Sequence, residues 1–296
     1  MRLALFAIIL LIIQPAGAGD HLSIRHDGEE ILNIRRGDFF DELAGKPLID
    51  QDKTLQLTEH LKQEVKKDPI DAKLNDTGEI VPEEAGYQLN GQKFLELFYT
   101  YLLDSKPAVI EAPRLTLHPR VDSELLANIR TKQIGQYVTY FNTRNEERSH
   151  NIQLAAEALD NHVVFPGETF SFNRVVGKRT TEKGYLPAPV IVKGEVTEGI
   201  GGGICQLSST IYNAADIAGV KIVERYSHSK QVPYVPPGRD AAVSWYGPDF
   251  TFKNTYSQPL LIRTNVRHGM VSVTIYSSDH VDVKKRGTPG LSEKNK

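Results

Sequence analysis

Gly201-Gly202-Gly203-Ile204-Cys205-Gln206-Leu207-Ser208-Ser209-Thr210 carries the single cysteine of a 296-residue chain. Three glycines lead into that cysteine. After it, Leu207, Ile211, Ala214 and Ala218 recur at helical spacing, and Gly219 is placed to end the helix. The pattern predicts a tight turn that delivers Cys205 to a helix N-terminus. Free backbone N–H groups and the positive end of the helix dipole gather there, and both favour thiolate over thiol. Gly202 and Gly203 let the backbone approach a substrate closely. With Gln206 they are candidates to hold a substrate or an oxyanion. The competing reading is that the glycines only make the turn and that Cys205 packs inside as a small hydrophobe.

A thiol nucleophile needs a base and a group that orients the base. His228 is the nearest histidine downstream, just past a strand expected over 220–223. Asp240 follows the turn Pro236-Pro237-Gly238 and is the candidate orienting group, and Ser229 is a further candidate substrate contact. A surface histidine and a turn aspartate are the plain alternatives. Ser208 and Ser209 are rival nucleophiles in the first turn after Cys205, where serine often caps or packs. Ser227-His228-Ser229-Lys230 has S-x-x-K spacing, but Val232, Pro233 and Pro236 disfavour the helix that such a pair requires. The nine histidines are scattered, with no H-E-x-x-H and no paired cysteines, so no metal or other cofactor is expected.

Outward from the glycine run, residues 131–281 read as strands with helices between them. Tyr137, Thr139 and Phe141 alternate, Ile152, Ala155, Ala156 and Leu159 follow helical spacing, and Phe170 and Phe172 alternate again. Pro189–Val192 reads as a strand, as does Ala241–Trp245. Phe250–Phe252, Leu260–Arg263 and Val271–Ile275 look like a closing antiparallel set. Residues 19–130 read as a smaller α+β module without a nucleophile context. Within it, 19–30 is polar and expected to be loose, and Ile31–Ile34 is strand-like. One helix starts near Asp52 or Thr54 and ends at Pro69, and a second is capped by Asn90. Asp122 or Ser123 opens a short third helix. The fold class is therefore α+β, mainly antiparallel sheets with a few packed helices in a two-part chain.

Met1-Arg2, the apolar run Leu3–Ile13 and Ala16-Gly17-Ala18 read as a signal peptide over 1–18. The run is short for a bilayer core of ~30 Å, so membrane contact is expected only in transit or through an uncleaved anchor. Residues 282–296 are polar and read as a disordered tail. A hydrophobic content of 40% supports a real core, and a net charge of −2 argues against nucleic-acid binding. An unpaired thiol in an exported protein suggests intermolecular pairing or a reactive group.

Residues from about Arg144 to Ile275 resemble the VanW family of bacterial cell-envelope proteins. The blocks that carry the resemblance are Asn151–Ala156, Phe165–Asn173, Val176–Thr180, Gly184-Tyr185, Gly201–Asn213, Glu224-Arg225, His228-Ser229, Tyr234–Ala241 and Asp249-Phe250. Residues 30–130 are similar to the peptidoglycan-binding module that often precedes such domains, through Asp71-Ala72-Lys73, Gly86–Asn90 and Glu111-Ala112-Pro113. Some members of the family act as L,D-transpeptidases with a cysteine nucleophile, and Cys205 matches the motif cysteine. The resemblance implies a secreted, cell-wall-associated protein whose partners are peptidoglycan stem peptides. Cys205 would form a thioester with a tetrapeptide stem and pass it to a neighbouring amine, giving a 3→3 cross-link. Two other roles stay open: hydrolysis of the same bond, or a non-catalytic part in wall maintenance or glycopeptide resistance.

Overall fold

The computed structural model describes residues 20–43, 46–104, 106–192 and 195–283. They fall into two compact units. One holds the described residues up to Asp71 together with Glu83–Arg120; the other holds Ala72–Pro82 and the described residues from Val121 onward. The second unit thus begins before residue 131 and also takes in a segment from within 19–130. The signal segment expected over 1–18 and the tail from 284 lie outside the described residues.

The chain begins with β1 (His21–His26), β2 (Glu29–Arg35), β3 (Phe40–Leu43), β4 (Lys46–Ile49) and α1 (Gln51–Glu64). Next come β5 (Lys73–Leu74) and β6 (Ile80–Val81), a hairpin of the second unit. Then follow β7 (Gly86–Leu89), α2 (Gly91–Leu103), β8 (Ala108–Glu111) and β9 (Arg114–Leu117). Residues 20–26 are not loose, as their polarity suggests. Leu22 and Ile24 alternate inward and are fully buried, which makes β1 the central strand of a β2-β1-β8 sheet. The β1–β8 pairing is parallel, unlike most pairings in the protein. The first helix is capped by Asp50 rather than Asp52 or Thr54, its carboxylate accepting the Lys53 amide at 2.9 Å. Asn90 caps α2 in the same way, at 3.1 Å from the Lys93 amide. Phe94, Phe98, Leu61 and Val65 close this unit's core.

The second unit continues with α3 (Ser123–Ile129), β10 (Lys132–Tyr140), α4 (Glu146–Leu159), β11 (His162–Val164), β12 (Thr169–Ser171) and α5 (Phe172–Val176). After these come β13 (Pro187–Val192), β14 (Glu195–Ile200), α6 (Ile204–Ile217), β15 (Lys221–Glu224), β16 (Thr251–Lys253), β17 (Leu260–Arg267) and β18 (Met270–Ser277). Asp122 caps α3. An antiparallel sheet in the order β10-β18-β17-β11 packs against α6, and a second, β12-β16-β15, carries stacked Phe170 and Phe252 into the same core. The closing set is therefore split: β17 and β18 lie in one sheet and β16 in the other. Phe172 does not extend β12. It opens α5, where Ser171 caps the turn by accepting the Arg174 amide. β13 pairs with β14, a strand that the sequence did not signal.

Helix α6 is the centre of this unit. Every residue from Gln206 to Asp216 is buried, so even its polar side chains need partners. Thr210 meets Thr139 of β10 through their hydroxyls at 2.9 Å. On another face Ser208, Ser209 and Asn213 hold the chain around residue 240. The Ala241 amide donates to Ser209 Oγ at 2.9 Å, Ser208 Oγ donates to the Ala241 carbonyl, and Asn213 Nδ2 donates to the Arg239 carbonyl at 2.8 Å. These bonds replace a sheet ladder, and so 241–245 is not the expected strand: it makes one isolated bridge, Ala242 to Tyr226.

The approach of β10 to α6 depends on Gly135. A Cβ there would fall on the Ala214 carbonyl and within 2.9 Å of the Ala218 amide. Gly135→Ala is expected to cost about 1–3 kcal/mol through overpacking. Gly91→Ala, whose Cβ would make ordinary contacts with the Lys62 side chain at 3.5 Å and Thr58 Cγ2 at 3.8 Å, should be neutral or mildly stabilising. Chemical denaturation of both variants checks the contrast.

Candidate functional site

The turn into α6 is built by its neighbours. Gly203, at φ 105°, occupies the N-cap position, and Gly201 also has positive φ. Asn151 of α4 is wholly buried and donates to the Gly202 carbonyl at 3.1 Å and the Leu186 carbonyl at 2.9 Å. Gly202 lies pressed against the Ala188 backbone. Two arginine side chains cover the flanking glycines: a Cβ on Gly201 would sit 3.1 Å from Arg179 Cβ, and one on Gly203 would sit 2.9 Å from Arg148 Cγ. The glycine run is therefore a packing requirement as well as a conformational one.

Cys205 is the second residue of α6 and is half-buried. Its thiol donates to the Val243 carbonyl at 3.5 Å and lies close enough to the His228 ring to favour the charged form of the imidazole. His228 Nδ1 donates to Asp240 Oδ2 at 2.7 Å, and the His228 backbone amide donates to the same oxygen at 2.6 Å. With Nδ1 engaged, Nε2 is the ring nitrogen left for the thiol. The structure thus brings Cys205, His228 and Asp240 together in one line.

Arg225 ties the two loops that carry His228 and Asp240, donating to Ser227 Oγ at 3.0 Å and the Asp240 carbonyl at 2.7 Å. Its guanidinium lies over one side of the contacts of Tyr212, 5.1 Å from that ring's centroid, and Arg239 stacks on the same ring at 4.8 Å. Arg239 also donates to Asp216 at 2.8 Å and Asn213 at 2.7 Å, both on α6.

Burial works against the His228 charge, but the Cys205 and Asp240 interactions outweigh it and raise its pKa above the ordinary value. Burial likewise opposes the Asp240 charge, and the two His228 hydrogen bonds overcome it and hold the carboxyl below the usual carboxylate range. Burial pushes the Tyr234 phenol strongly upward, so it stays protonated.

Cys205 and His228 line a groove of about 660 Å³, with Tyr234, Trp245, Arg148 and Arg179 among its other walls. That size suits a short peptide. Gly203 lines it, whereas Gly202 does not: its amide goes to the Gly199 carbonyl at 3.3 Å. Gln206 touches the groove, but its side chain is committed to Arg148 at 2.6 Å, Thr139 at 2.9 Å and the Tyr140 carbonyl at 3.1 Å. Ser229 is exposed and is not among the lining residues. Ile204 and Gln206 turn their amides back to the Gly201 and Gly203 carbonyls at 3.4 and 3.0 Å. The Cys205 amide is the first-turn donor that no carbonyl engages among the described residues, and it is the better oxyanion candidate than Gly202. Ser208 and Ser209, both fully buried, spend their hydroxyls on backbone carbonyls.

Sequence reasoning missed Arg148 and Arg179 as site residues. They sit far from Cys205 in the chain, in stretches without a chemical motif, and only the glycines they cover hint at them. No group of three or more His, Cys, Asp or Glu side chains suited to a metal ion occurs among the described residues. No helix there is long and apolar enough to cross a membrane.

Removing the Asp240 charge should uncouple the triad. In the native protein His228 is expected to titrate above 6.5. Its protonation then contributes stability in full below that pH, a contribution lost as pH rises through the folded midpoint. In Asp240→Asn the midpoint should fall, because burial is then less opposed. Proton NMR of the His228 ring reads the shift, and an equal midpoint in both proteins would refute the coupling.

The family model described as VanW like protein matches residues 147–276, a span that holds Cys205, His228 and Asp240. The uncharacterized protein YoaR of Bacillus subtilis (strain 168) is 54% identical over 281 residues, covering 95% of this chain and 93% of its own. Vancomycin B-type resistance protein VanW of Enterococcus faecalis (strain ATCC 700802 / V583) is 32% identical over 83 residues, 28% of this chain and 30% of its own. No solved structure matches. A relative more than half identical along nearly its full length, together with the family match around the thiol, shows that the chain belongs to the VanW family.

Proposed function

We propose that this is an exported cell-wall protein that works as a cysteine acyltransferase, an L,D-transpeptidase of peptidoglycan stems. The observation that carries the reading is the Cys205–His228–Asp240 line opening onto a peptide-sized groove. Family membership and the likeness to a vancomycin resistance protein support a role at the wall. The first unit, where Thr58 and Lys62 of α1 and Gln92 and Tyr99 of α2 line a groove of about 610 Å³, serves on this reading as the wall-binding part.

In the reaction, the Cys205 thiol passes its proton to His228 as the sulfur attacks the carbonyl of the stem's L-centre, whose bond to the terminal D-residue breaks. His228 gives a proton to the departing amine, and a thioester remains on Cys205. The Cys205 amide at the start of α6 holds the developing oxyanion. A side-chain amine of a neighbouring stem then attacks the thioester and loses its proton to His228. The sulfur leaves, takes that proton back from His228, and the 3→3 amide is complete. Asp240 keeps the imidazole oriented and stabilises its charged form. Water in place of the amine gives hydrolysis through the same thioester.

Purified protein incubated with tetrapeptide-stem muropeptides should yield 3→3 dimers and an acylated enzyme by mass analysis. Cys205→Ala should fold, yet give neither. His228→Ala should lower turnover by about 10²–10⁴-fold, the usual worth of a general acid–base. A trimmed stem without dimers would make the enzyme a carboxypeptidase, and absence of both products and adduct would refute acyl transfer.

A further inference from the structure

Three other arginines of this unit have carboxylate partners: Arg225 with Asp240, Arg239 with Asp216 and Arg263 with Asp160. Arg148 and Arg179, which line the groove, have none within ion-pair distance among the described residues. Arg148 is held by Gln206 Oε1 at 2.6 Å and lies over the Phe141 ring, 5.9 Å from its centroid. Arg179 is held by Asn173 Oδ1 at 2.8 Å and the Gly177 carbonyl at 3.1 Å. Asn173 is itself fixed, donating to the Ser244 and Pro248 carbonyls at 2.9 and 3.2 Å. Each guanidinium therefore has an anchored edge and further N–H donors to spare. Both are half-buried, and burial depresses the pKa of each; Tyr234 and Cys205 oppose that depression at Arg148, and Cys205, Tyr185 and the more distant Asp249, which is outside ion-pair distance, oppose it at Arg179.

A cation drawn out of water without an anionic partner is unfavourable, and an arriving anion offsets that cost. The anchors are all neutral acceptors, so they orient the guanidinium groups without cancelling their charge. The stems of the two arginines cover Gly201 and Gly203, the glycines on either side of the turn into Cys205. The two side chains thus flank the turn that presents the nucleophile, and both guanidinium groups interact with Cys205.

We propose that Arg148 and Arg179 form a carboxylate-binding subsite that selects acyl donors ending in a free carboxylate one residue beyond the bond attacked. This rests on the donor-peptide reading of the groove. Successive Cα atoms are about 3.8 Å apart, so the terminal carboxylate of the departing residue lies within reach of a guanidinium beside the thiol. Guanidinium and carboxylate match as two parallel N–H···O bonds. A stem extended past that residue, or amidated at it, loses the charge that the subsite takes. The subsite thereby makes the enzyme specific for trimmed stems.

The test uses full-length Cys205→Ala protein, which binds without reacting. Nα-acetyl-L-lysyl-D-alanine and its D-alaninamide are titrated against it and followed by NMR. The acid should bind about 10- to 100-fold more tightly, the worth of a charge-assisted hydrogen bond or two. Adding Arg148→Gln or Arg179→Gln should erase most of that preference, and the Lys variants should keep part of it, with melting temperatures showing that each variant folds. Equal affinity for acid and amide, no binding of either, or a preference that survives both Gln substitutions would overturn the subsite. The acyltransferase reading fails separately: wild-type protein would then prefer the acid yet give no adduct and no product from muropeptides.

Discussion

Ser209 Oγ donates to the Cys205 carbonyl at 2.7 Å and accepts the Ala241 amide at 2.9 Å. One hydroxyl on α6 thus joins the turn of the nucleophile to the loop that bears Asp240. Ser208 and Asn213 repeat the arrangement, and the Tyr212 ring, with Arg225 and Arg239 stacked on it, completes the attachment. The loop from 225 to 243 has no ladder of its own. Its order comes from the side chains of a buried helix, and those side chains are polar because the loop's backbone groups must be satisfied. The helix that presents Cys205 and the loop that presents its partners are consequently one object. Loosening either would move sulfur, imidazole and carboxylate relative to one another.

The glycine run carries a second constraint. Its positive φ values let the chain reverse from β14 into α6. Equally, its missing side chains leave room for Arg148 on one side and Arg179 on the other. A serine or alanine at Gly203 would meet both a strained backbone and the Arg148 stem. The requirement for glycine thus comes jointly from conformation and from the neighbouring cations. The turn and the electrostatics of the groove were built together.

How much of this could be read from the chain depends on the range of the interaction. Helices α1, α2, α4 and α6 announce themselves through local spacing, and Asn90 and Gly219 through local caps. Cys205 at a helix start is legible for the same reason. β1 is not, because its two buried residues sit among charges and its burial depends on β2 and β8. The 241–245 segment alternates like a strand yet pairs with helix side chains, and no local pattern distinguishes the two. His228 and Asp240 were found by order along the chain and by resemblance, not by geometry. Arg148 and Arg179 were not legible as site residues, although Arg179 lies in one of the blocks that carry the resemblance, since what makes them so is proximity to glycines more than twenty positions away.

The charges around the sulfur are coupled in one direction. The Cys205 side chain favours the protonated form of His228, Arg148 and Arg179 alike, against burial in every case. Cys205 is thus a common neighbour of three basic groups; His228 is paired with Asp240, and Arg179 also feels the more distant Asp249. Formation of a thioester removes any charge from the sulfur and withdraws its support from all three. On the acyl-transfer reading, the imidazolium has both the Cys205 side chain and Asp240 beside it before reaction, and Asp240 alone once the sulfur is acylated. An imidazole that favours a proton before attack and more readily gives it up after the thioester forms is what the two halves of an acyl transfer require, first to protonate the leaving amine and then to accept a proton from the incoming one.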